Sequence, residues 1–195
     1  MDTIKKCFEI ILKGGPTDSR LAARRIRNLV YSAQGGRDKY QDIKNIINDV
    51  FKKYAAISEE WRQENFVMAV SVIYFLHDKD DRPDFIFPWL FQLLQHQNGY
   101  IRHAAVRMFE NEIGPLTVHL RCPEYKQSKL KSEKSDEILC ALCKSLHGLM
   151  PFLWKPEYKK FKYIDSLPAC PYKSVQMVLA EMEDSCGKEY LDRIF

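Results

Sequence analysis

Glycine and proline are scarce, eight and nine in 195 residues. Few points therefore force the chain out of a helix, which suits helices with short connections. Also missing is any run of about 18 apolar residues of the kind a membrane span needs. The opening Met1-Asp2-Thr3-Ile4-Lys5-Lys6 leads into an amphipathic helix pattern, not into an apolar signal-peptide core. These absences predict a cytoplasmic protein with no membrane partner. The chain has no Gly-x-Ser-x-Gly, no glycine-rich phosphate loop and no His-Glu-x-x-His. Catalytic residues and cofactors are accordingly expected to be none. Six cysteines are spread over a chain too long to need covalent staples, so they read as free, mostly buried thiols.

What is present is helical periodicity. Ile4, Cys7, Phe8, Ile11 and Leu12 recur at three-and-four spacing, and Gly14-Gly15-Pro16 ends that stripe. Thr17 or Asp18 is expected to cap a second helix with apolar positions Leu21, Ala22, Ile26, Leu29 and Val30. The unit returns twice. Ile43, Ile46, Ile47, Val50, Phe51 and Tyr54 form a stripe; Ser58 with Glu59-Glu60 then opens a helix carrying Phe66, Val67, Val70, Ile73 and Tyr74. Phe87, Leu90, Phe91 and Leu94 lead to a turn at Gln97-Asn98-Gly99. The following helix, Ile101 to Ile113, is expected to close at Gly114-Pro115. Arg20, Arg62 and Arg102 each fall in the first turn of a second helix, 42 and 40 residues apart.

That period, and the run from Pro88 to Val106 (PWLFQLLQHQNGYIRHAAV), resemble the HEAT/armadillo helical repeats, whose period is about 40–47 residues. An apolar first helix, an Asn-containing turn, then Arg followed by small residues is the shared pattern; Arg20-Leu21-Ala22-Ala23 repeats it. The resemblance covers about residues 3–118. It implies an all-α fold, a right-handed α-solenoid of about four stacked helical hairpins with an irregular C-terminal hairpin. It also implies one domain over 1–195, with repeats near 3–33, 40–77, 84–118 and 135–187. In this reading Ala22, Ala23, Ala69, Ala104 and Ala105 let neighbouring helices approach closely. HEAT-like metal hydroxylases use His-Glu dipeptides, and this chain has none.

The last third departs from the pattern. A helix beginning near Ser135-Asp136 carries Ile138, Leu139, Leu142, Leu146, Leu149, Met150 and Leu153, and a final helix spans about 172–186. An insertion lies between them. A Lys- and Ser-rich stretch at 121–134 reads as an exposed loop. His119-x-x-Cys122 followed by Cys140-x-x-Cys143 has the outline of paired zinc ligands. The second pair, however, sits inside a helix without a Gly-rich knuckle, so no metal is expected. Thiol-redox chemistry wants the first Cys at a helix N-terminus, and Cys140 lies beyond it.

Charge is uneven. Residues 1–40 hold nine Lys/Arg against four Asp/Glu, whereas residues 41–120 hold eight against eleven. Arg20, Arg24 and Arg27 share one helix face by four-and-three spacing, and Arg102 with His103 takes the matching place in the third repeat. The run Trp154-Lys155 to Tyr163 interleaves aromatics with Lys155, Lys159, Lys160 and Lys162, a pairing of base stacking with phosphate attraction. The competing reading is that Arg20, Arg62 and Arg102 hold the repeats together and that the lysines solvate a loop. The leading expectation is a non-enzymatic scaffold that binds a protein partner. The alternative is a nucleic-acid-binding protein resembling the HEAT-like alkylpurine DNA glycosylases, with a basic concave groove.

Overall fold

The computed structural model describes residues 3–32, 36–124, 130–160 and 168–194, the side chains of 36–38 and 159–160 excepted. Among these residues 82% are helical and none is in a strand. No helix there is long and apolar enough to cross a membrane. The chain divides into two compact units, residues 1–78 and 79–195.

In the first unit, α1 (Ile4–Lys13) is capped by Thr3, whose hydroxyl accepts from the Lys6 amide at 3.1 Å. It stops at Gly14, where an added Cβ would lie 2.7 Å from the Ile10 carbonyl oxygen, so no larger residue fits without a shift. Helix α2 (Pro16–Tyr31) begins two or three residues earlier than a Thr17 or Asp18 cap requires. Pro16 takes the first helical position, where its missing N–H costs nothing, and Gly15 stands at the cap without a side-chain bond. Then follow α3 (Gly36–Asn48), α4 (Val50–Ala55) and α5 (Glu60–Ile73), which runs into a single 3-10 turn, Tyr74–Leu76. The stripe expected as one helix over 43–54 is thus two, divided at Asp49.

The core of this unit follows the apolar spacing. Ile11, Ile26, Ile43, Phe66, Val67, Val70 and Ile73 are fully buried, and the Phe8 and Phe66 rings meet edge to face, centroids 5.8 Å apart. Each such side chain contributes about 1.5–3 kcal/mol on burial. Two expected stripe positions face water instead: Leu21 is 46% exposed and Phe51 41%. Periodicity marks a face without fixing how wide a band of it the neighbours cover.

In the second unit a 3-10 turn (Pro83–Ile86) leads into α6 (Phe87–Leu94), then α7 (Gly99–Leu116), α8 (Val118–Arg121), α9 (Ser132–Leu153), a 3-10 turn (Pro156–Lys160), α10 (Pro171–Cys186) and α11 (Lys188–Ile194). Asn98 caps α7 by accepting from the Tyr100 and Ile101 amides. Contrary to the expected stop at Gly114-Pro115, α7 continues to Leu116. The last carbonyls are still satisfied. Thr117 Oγ1 donates to the Ile113 carbonyl at 2.8 Å and Arg121 to that of Gly114 at 2.7 Å. Helix α9 begins at Ser132, one turn before the expected start, which draws the end of the anticipated loop into the helix. Helix α10 matches its expected span and ends at Gly187, whose φ of +79° favours glycine. The short α8 and α11 had no counterpart in the sequence reading.

Helix α7 is the centre of this unit and packs on α6, α9 and α10. Ala104 and Ala105 are fully buried on it, as expected of positions where helices approach closely. The Phe109 ring sits between Phe87 (5.1 Å) and Phe91 (5.4 Å). Ser174 in the first turn of α10 donates to the Leu94 carbonyl at 2.7 Å, fixing α10 against the end of α6.

Candidate interaction surfaces

Two of the three recurring arginines are bound to main chain. Arg62, on α5, donates from Nη1 to the carbonyls of Ile11 (3.0 Å) and Gly14 (3.1 Å), the unsatisfied end of α1. Its other nitrogens meet Glu59 at 3.2–3.3 Å, and its plane lies over the Trp61 ring at 4.4 Å. Arg102, only 4% exposed, donates from Nη1 to His96 (2.7 Å) and Gln97 (2.6 Å) and from Nη2 to Pro168 (2.7 Å). Burial lowers its pKa, yet three carbonyl acceptors compensate the charge. His103 is half-buried beside it, and burial together with Arg107 pushes its pKa below the ordinary imidazole value. These geometries leave Arg62 and Arg102 little donor capacity for a ligand.

Arg20 differs. It is exposed on α2, as are Arg24 and Arg27, and the three form a stripe opposite the buried Ala22, Ile26 and Val30. None of the three makes an ion pair or hydrogen bond within the described residues.

In the second unit Trp154, 40% exposed, follows the end of α9. Its ring packs edge to face on Tyr172 (5.0 Å) and Tyr158 (6.5 Å), and Tyr158 stacks on Tyr172 at 6.1 Å. Lys155 is exposed and Phe152, in the last turn of α9, is 88% exposed. The side chains of Lys159 and Lys160, and Lys162 altogether, lie outside the described residues.

A groove of about 440 Å³ runs between α6 and α9. Its apolar lining is Phe87, Pro88, Phe91, Ile138, Ala141 and Leu142, and Asp84, Lys134, Glu137 and Ser145 complete it. Nothing in the sequence marks this groove. Each of its walls is an ordinary amphipathic stripe, and the packing buries Phe87, Ile138 and Leu142 while leaving Pro88 and Ala141 exposed.

No family model, no curated protein and no solved structure matches this chain.

The zinc-like spacing is not assembled. Cys122 is exposed at the end of α8, while Cys140 Sγ donates to the Ile194 carbonyl at 2.9 Å. His119 Nε2 lies 2.7 Å from Asp136 Oδ1, which also accepts from the Tyr190 hydroxyl. Among the described residues no three His, Cys, Asp or Glu side chains come together as a metal site. Burial pushes Cys186 up to about 11 and raises Cys143, so neither is an activated thiolate. Burial, then the bond to Asp136, raises Tyr190. This cluster joins α8, α9 and the C-terminal α11.

Proposed function

We propose that the chain is a non-enzymatic interaction module, built as a HEAT-like helical-repeat protein, that binds a protein partner through its helical surface. The observation that carries this reading is the open α6–α9 groove. Aromatic and aliphatic side chains supply most of its lining, and its charged residues are Asp84, Lys134 and Glu137, the last two paired with each other at 3.0 Å. An apolar floor with a polar rim is the anatomy of a protein interface. Walls drawn from two helices suit an amphipathic helix that lays apolar residues at i, i+3, i+4 and i+7 between them. The arginine clamps and the closely packed alanines support the repeat reading, since recurring positions in such stacks serve the repeat.

The test is selection from a library of helical peptides on the immobilised protein. Ala141 is exposed in the groove, so Ala141→Arg fills it while sparing the core. Enriched peptides should carry the helical apolar spacing and lose binding to Ala141→Arg. Failure to enrich, or peptides indifferent to the substitution, contradicts the proposal.

A further inference from the structure

We infer that the first unit carries, on α2, a phosphate-binding stripe for the backbone of a nucleic-acid duplex. This inference does not depend on the α6–α9 groove. Over α1 and α2, residues 4–31, seven Lys/Arg stand against two acidic residues, Glu9 and Asp18. All seven basic residues are exposed. Such a local excess attracts a polyanion. The four on α2, including Arg25, are arginines, whose planar fork meets phosphate oxygens in pairs.

Geometry narrows the occupant. Arg20, Arg24 and Arg27 fall within an arc of about 60° on a helix of 3.6 residues per turn, and Arg20 to Arg27 spans about 10.5 Å. If each guanidinium meets one backbone phosphate, the stripe neutralises about three phosphates. Tyr31, 72% exposed, ends the same stripe and offers a hydroxyl to a further phosphate. The large apolar neighbour among the arginines is Leu21, not an aromatic ring. Single-strand binders need aromatic platforms between their charges, and the one exposed ring of this stripe, Tyr31, stands beyond its last arginine. An anionic membrane is a poorer fit, because Ala22, Ile26 and Val30, the apolar side of α2, are already buried within the unit.

The test is fluorescence anisotropy of a short labelled DNA duplex against the full chain over a salt series. The triple variant Arg20→Gln, Arg24→Gln, Arg27→Gln is compared with the parent, and the triple Arg→Lys variant keeps the charge as a control. Circular dichroism checks that each is folded. The parent's log affinity should fall with log salt about 2.7 units more steeply than that of the Gln variant, a slope of about 0.9 per phosphate. Between about 50 and 200 mM salt this amounts to about a 40-fold extra loss. The Lys variant should keep the parent's slope. A parent that ignores the duplex overturns the inference. So does a Gln variant with the parent's slope, a Lys variant that loses it, tighter binding to single strands, or displacement by polyglutamate or anionic vesicles at equal charge.

Discussion

Arg62 and Arg102, 40 residues apart, turn the same nitrogen onto the same kind of target. Nη1 of Arg62 bridges the carbonyls of Ile11 and Gly14, and Nη1 of Arg102 bridges those of His96 and Gln97. Arg62 thereby supplies donors to the end of α1, and Arg102 supplies them to the turn between α6 and α7. Removing Arg102 strands three acceptors around a buried cavity, so Arg102→Ala should cost about 3 kcal/mol and Arg62→Ala, less buried, about 1–2 kcal/mol. Arg20→Ala, on an exposed face, should stay within about 0.5 kcal/mol. Urea unfolding of the three variants checks the order; an Arg20 cost equal to that of Arg102 would contradict it.

Ala105→Glu should be among the most damaging single changes. Ala105 has no exposed surface at the centre of α7, and a carboxylate there would be buried without a partner, at a cost of several kcal/mol, roughly 3–5. A melting temperature within a degree or two of the parent, at about neutral pH, would mean that α7 is not packed as described.

Alkaline pH should weaken the fold through Cys186. Its pKa is raised from 9.0 to about 11 by burial. A raised folded-state pKa stabilises the protein fully below the unfolded value, and the stabilisation is lost as pH rises from about 9 through about 11. Cys186→Ala should flatten the fall in melting temperature over that window; an unchanged slope would argue against the burial.

The thiols should also react in a set order. Cys122 is exposed, whereas Cys143 is buried and Cys140 is bonded to the Ile194 carbonyl beneath α11. Timed labelling should modify Cys122 first. Tyr190→Phe, which removes the hydroxyl bound by Asp136, should speed labelling of Cys140 by loosening α11. Elemental analysis of the purified protein should find no stoichiometric zinc, and one zinc per chain lost on Cys140→Ser would contradict the thiol assignment.

Much of the helical order was legible because long apolar stripes and turn residues mark it. The turns at Gly14 and at Gln97-Asn98-Gly99 and the span of α10 follow local rules. Where local rules misled, tertiary partners had taken over. Helix α7 passes Pro115 and ends where Thr117 and Arg121 bind the Ile113 and Gly114 carbonyls, and α8 and α11 are too short for periodicity to reveal. Of the candidate surface, the α2 stripe was visible as spacing. That Arg62 and Arg102 face inward to carbonyls while Arg20 faces water is a property of packing, which no single-helix pattern encodes.

Isothermal titration of a selected amphipathic peptide into the parent and into Ala141→Arg tests the interaction-module reading most directly. That account predicts micromolar binding, about 8 kcal/mol, with a negative heat-capacity change as the apolar walls of the α6–α9 groove are covered. It also predicts at least about a tenfold loss, roughly 1.4 kcal/mol, in Ala141→Arg. Equal affinity for both proteins, or binding without a heat-capacity change, would contradict it.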